Sequence, residues 1–94
     1  MADLASFKAI IHGQVQGIGF RFFTARYASK LFLTVYVTNL PGGTSVEVEA
    51  EGEREQLKLL AEYLEAGTTG ARVENVDIKW EEYSGHYSDF SIRR

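Results

Sequence analysis

Apolar and polar positions alternate with period two over residues 7–12, with Phe7, Ala9 and Ile11 on one face and Lys8, Ile10 and His12 on the other. That pattern predicts a strand with one buried face. The period then changes: Phe20, Phe23, Tyr27 and Leu31 recur at three- and four-residue spacing, and Lys30 sits near the end of the run. This predicts an amphipathic helix whose aromatic stripe is core, with a cation at its negative end. Residues 35–39 are rich in β-prone side chains, Pro41-Gly42-Gly43 reads as a turn, and residues 45–51 alternate again. Val46, Val48 and Ala50 are predicted inward and Glu47, Glu49 and Glu51 outward, so the two segments form a hairpin. Residues 53–66 carry Leu57, Leu60, Ala61 and Leu64 on one helical face, with Glu53 and Glu55 in the first turn and Gly67 as the stop. Val76, Ile78 and Trp80 alternate with Asp77, Lys79 and Glu81 as a further strand, and Phe90 and Ile92 suggest a short last one.

The order β-α-β-β-α-β with a short extra C-terminal strand predicts an α+β, ferredoxin-like sandwich: an antiparallel sheet with two helices on one face. One domain is expected over residues 1–94, without repeats or linkers. The topology hosts many functions. RNA-binding versions place stacking aromatics on the outer face of the first and third strands, where this chain has Lys8, Ile10 and His12, then Glu47, Glu49 and Glu51. A row of carboxylates repels a phosphate backbone and argues against that use.

Composition adds limits rather than a function. An apolar content of 45% with six Phe, five Tyr and one Trp suffices for a single core. Cysteine is absent, which excludes disulfides and thiolate metal sites. His12 and His86 lack ligand spacing, so neither a metal nor another cofactor is expected. The net charge of −3 argues against nucleic acid or a membrane surface as partner. Residues 1–6 lack the basic start and apolar stretch of a signal peptide, and no run approaches the ~20 apolar residues of a membrane span. A cytoplasmic monomer is the expectation.

Candidate chemistry gathers in Gly13-Gln14-Val15-Gln16-Gly17-Ile18-Gly19-Phe20-Arg21, between the first strand and the first helix. Glycines let the backbone turn its N–H groups toward one point, a helix N-terminus adds partial positive charge, and an arginine fork fits two phosphate oxygens. The segment matches neither the P-loop nor the dinucleotide fingerprint. At this level it reads equally as an anion cradle or as a tight connection. Asn39 ends the second strand on the buried parity of Val35 and Val37; it reads either as a cap on the following turn or as a holder of a water or ligand.

The same nine residues resemble the signature of the acylphosphatase family. Tyr36-Val37-Thr38-Asn39-Leu40-Pro41, followed by Val46-Glu47-Val48-Glu49-Ala50-Glu51-Gly52, resembles the second family signature, and the similarity continues to the C-terminal Asp89-Phe90-Ser91-Ile92-Arg93. The resemblance implies a hydrolase acting on a phosphorus-containing acid anhydride. Small acyl phosphates would be cleaved to carboxylate and phosphate without metal or cofactor. It further implies that Arg21 binds the phosphoryl group together with the backbone of Gln14, Val15, Gln16, Gly17, Ile18, Gly19 and Phe20, and that Asn39 orients the attacking water. The alternative is a module that binds phosphate or carbamoyl phosphate without catalysis. Three departures from the family pattern surround Asn39. Phe32 and Val35 stand where glycines are usual, and the turn at residues 42–45 is one residue longer, which is expected to shift the hairpin register or add a bulge.

Overall fold

A computed structural model describes residues 3–16, 19–67 and 72–84, and the backbone of residues 91–93. The chain runs β1 (Leu4–Gln14), α1 (Phe20–Lys30), β2 (Thr34–Asn39), β3 (Ser45–Glu53), α2 (Arg54–Ala66), β4 (Arg72–Glu81) and β5 (Ser91–Arg93). The sheet order is β4-β1-β3-β2-β5. β1 pairs antiparallel with β3 and β4, and β2 with β3, which is the ferredoxin-like arrangement; β5 joins the β2 edge in parallel. The expected last strand is therefore present, although Phe90 lies outside the described residues.

The inward parity behaves as expected. Phe7, Ala9, Ile11, Val35, Val37, Val46, Val48 and Ala50 are buried against Leu57, Leu60 and Leu64 of α2. Each fully buried leucine contributes about 1.5–3 kcal/mol of transfer free energy. The helix α1 departs from expectation. Its buried residues are Phe20, Thr24, Ala25 and Ala28, whereas Phe23 is 43% exposed and Tyr27 only partly buried. The small side chains of Thr24, Ala25 and Ala28 permit close approach to the sheet and fill the inner stripe with Phe20, while Tyr27 and Leu31 pack at the edge of the core and Phe23 is left outside it.

The outer face also differs in one place. Glu51 points outward but is buried, because Ser84 donates to its Oε2 from both backbone N–H (2.8 Å) and hydroxyl (2.5 Å). The β2–β3 register runs without interruption from Thr34–Glu51 to Asn39–Val46, so the longer turn adds no bulge.

Candidate functional site

Connectivity brings the candidate residues to one end of the sheet. β1 and β2 each pair antiparallel with β3 and therefore run parallel to each other, with α1 returning between them. The C-terminal end of β1, the N-terminus of α1 and the C-terminal end of β2 thus converge.

β1 ends through a bulge at His12/Gly13. Gly13 has φ +137°, and a Cβ there would lie 2.0 Å from the Arg72 carbonyl oxygen, so no side chain fits. Its N–H donates to the Thr44 carbonyl at 2.8 Å, tying the loop's base to the β2–β3 turn. Gln14 is exposed, while Val15 and Phe20 are buried in the core and anchor the loop at both ends. Gly17 and Ile18 lie outside the described residues. The side chain of Gln16 reaches across: its Nε2 donates to the carbonyls of Leu40 (2.9 Å) and Ser45 (2.8 Å). Sequence reasoning missed this tether, because the acceptors lie 24 and 29 residues away and only the fold makes them neighbours.

Gly19 caps α1 in the left-handed conformation, φ 80° and ψ 10°, and no side chain caps the helix. Its first turn carries no acidic residue, whereas α2 has Glu55 there. Among the described residues, neither a side-chain cap nor an acidic residue offsets the positive end of α1. Arg21 sits in that first turn, partly buried.

Asn39 is the last residue of β2, paired with Val46. Its Oδ1 is buried and has no hydrogen-bond partner. The neighbouring turn is closed instead by the Leu40 N–H donating to the Ser45 carbonyl at 3.1 Å. The turn-cap reading therefore loses its acceptor. Among the described residues, the other such atom is Thr24 Oγ1, on the face of α1 that packs toward β2. An unpartnered buried acceptor costs about 1–3 kcal/mol unless a donor arrives, and a water supplies one.

Among the described residues, no three His, Cys, Asp or Glu side chains gather as a metal site; His86 lies outside them. No helix among the described residues is long and apolar enough to cross a membrane.

The Acylphosphatase family model matches residues 7–92, nearly the whole chain. The chain belongs to the acylphosphatase family. It is 46% identical over 82 residues to an acylphosphatase of Caldanaerobacter subterraneus, covering 87% of this chain and 90% of that one. The fold matches the solved acylphosphatase of Coxiella burnetii with a TM-score of 0.88 at 35% identity, covering 98% and 94% of the two chains. The acylphosphatase of Bacillus subtilis matches equally well, with a TM-score of 0.88 at 31% identity over 96% of this chain and 98% of that one. Membership in this hydrolase family covers loop, helix start and hairpin together, so the two sequence signatures and the end of the sheet where they meet belong to one unit.

Proposed function

We propose that the chain hydrolyses small acyl phosphates, with Arg21 and the loop backbone holding the phosphoryl group and Asn39 orienting the water. The observation that carries this reading is the buried, unpartnered Oδ1 of Asn39 beside a loop that Gln16 moors to Leu40 and Ser45. A mere anion binder need not keep an acceptor there. A nucleophilic water donates one O–H to it and turns a lone pair toward phosphorus.

The reaction needs little else. Water oxygen bonds to phosphorus as the bond from phosphorus to the acyl oxygen breaks in line. The breaking pair leaves on the carboxylate, and the water's surplus proton passes to the newly formed phosphate or to solvent. A carboxylate of pKa about 4 departs without a general acid. Positioning and charge stabilisation remain, supplied by the N–H groups of the loop and α1 and by the Arg21 guanidinium. No phosphoenzyme is required.

Benzoyl phosphate hydrolysis with EDTA present tests the reading. Arg21→Ala is expected to lose about 10³-fold or more in kcat/KM together with inhibition by phosphate. Asn39→Ala is expected to lose about 10²–10³-fold in kcat while phosphate still inhibits. An inactive parent that binds phosphate through Arg21 would favour the non-catalytic module; wild-type rates in Arg21→Ala would sink the mechanism.

A further inference from the structure

The two sides of the sheet are finished differently. β5, of three residues, covers the β2 side, whereas β4 closes the other side with ten residues that pair, among the described residues, with β1 alone. β4 contains no proline, and its register with β1 is regular from Asn75 to Glu81. A free edge of that length is a template for another strand. The helix layer also covers it incompletely. Val76 and Ile78 are half-buried and Trp80 is 40% exposed, while Val46, Val48 and Ala50, at the same levels of the central β3, are fully buried.

The ladder shows which backbone groups face that edge. At the two ends of the β1–β3 register the Gly13 N–H donates to the Thr44 carbonyl and the Arg54 N–H to the Asp3 carbonyl. Residues 3 and 13 share the parity of Phe7, Ala9 and Ile11, so that parity of β1 bonds toward β3. Successive residues of an antiparallel strand bond to opposite sides. Lys8 and Ile10 therefore bond toward β4, where they face Lys79 and Asp77. Val76, Ile78 and Trp80 are left with N–H and C=O directed at the open edge. Charge adds a second asymmetry. Lys79 lies opposite Lys8, which reaches Glu49 at 4.0 Å, while Lys79 forms no ion pair with any described residue.

We infer that the β4 edge pairs antiparallel with the β4 edge of a second copy of this chain, about a two-fold axis at Ile78, in place of the monomer expected from sequence. In that register the two Ile78 residues exchange backbone hydrogen bonds, as do Val76 of each copy and Trp80 of the other. The half-covered side chains of Val76, Ile78 and Trp80 meet their counterparts on the helix side. On the opposite face Lys79 of each copy lies directly across from Asp77 of the other, which supplies the acid that Lys79 lacks. Charge selects this axis. Centring on Asp77 or Lys79 sets like charges against each other, centring on Val76 leaves Lys79 without an acid, and centring on Trp80 sets Glu82 against Ile78. A single strand pair buries less than a standard interface, so the dimer is weak. The inference does not depend on the reaction the chain performs.

Sedimentation equilibrium from about 10 µM to about 1 mM protein tests it, and the mean mass is expected to rise from that of one chain toward that of two. Lys79→Glu and Asp77→Lys each set like charges across the axis twice and should weaken association about tenfold or more. The exchanged pair Asp77→Lys/Lys79→Glu should restore it to within about threefold of the parent. Amide hydrogen exchange of the unaltered chain gives a second readout. The N–H groups of Val76, Ile78 and Trp80 should gain protection as concentration rises, while those of Asp77 and Lys79, already bonded to β1, should not change. A single-chain mass at every concentration would overturn the inference. So would association that ignores both charge reversals, a folded double variant that stays monomeric, or added protection that falls elsewhere in the chain.

Discussion

The two ends of α1 make the same demand on the backbone and answer it with different residues. At the start Gly19 takes the left-handed conformation (φ 80°), and at the end Phe32 takes it (φ 60°). The second end is a complete Schellman motif: the Leu33 N–H donates to the Ala28 carbonyl at 3.0 Å and the Phe32 N–H to that of Ser29 at 3.1 Å. A side chain in this conformation costs roughly 1–2 kcal/mol, and the Phe32 ring, 90% exposed, recovers little by packing. At the loop end a Cβ would also meet the Phe23 ring at 3.3 Å, so that exposed ring would have to give by a few tenths of an ångström. The contrast teaches that a purely energetic penalty is tolerated where nothing need be positioned. At the loop end the same penalty falls on the residue that begins the helix beside Arg21.

Substitutions can sharpen this contrast. The largest effect is expected from Gln16→Leu, which removes the donor serving two carbonyls. It should cost about 1–3 kcal/mol of stability and, by loosening the loop, at least tenfold in kcat. Urea unfolding and steady-state kinetics check it; an unchanged kcat would mean that the tether is structural only. Next come the two ends as a pair. Gly19→Ala should lose about 1–2 kcal/mol and also reduce kcat/KM, whereas Phe32→Gly should gain about 0.5–1 kcal/mol and raise Tm by a few degrees with kinetics unchanged. If Gly19→Ala destabilised the protein yet kept full activity, the contrast would break.

The smallest effect concerns pH. Burial, and then the neighbouring Tyr27, raise the Tyr63 phenol above its ordinary value near 10. The folded state therefore favours the neutral phenol. Its contribution is complete below pH about 10 and declines as pH rises through the folded-state value. Tyr63→Phe should flatten that alkaline decline when Tm is followed from about pH 9 to about pH 11. An equally steep decline in the variant would assign it to other groups.

Alternation located β1, β3 and β4, because a period of two with one apolar face has a single sensible burial, and β-prone composition with the Pro41-Gly42-Gly43 turn added β2. Leu57, Leu60 and Leu64 likewise announced the inner face of α2. The pattern failed on α1, where two stripes were available. Small side chains took the middle of the inner face: Thr24, Ala25 and Ala28 admit the sheet, Phe20 is buried at the helix start, Tyr27 packs at the core's edge and Phe23 stays exposed. Hydrophobicity without volume could not choose. Phe32 was legible as a departure from a glycine position, and its positive φ follows from the helix needing a terminator there.

The site divides in the same way. Local order along the chain determined its chemical inventory, with a glycine-rich turn, an arginine one residue into the helix and an asparagine at a strand end. Tertiary structure decided that these meet, because β1, α1 and β2 converge only once β3 has inserted between the two strands. It also decided that the Asn39 acceptor is buried without a partner and that Gln16 spans from loop to turn. Conformational preference is a property of neighbouring residues and can be read along the chain. Burial and long-range hydrogen bonding belong to pairs distant in sequence, and only packing creates those pairs.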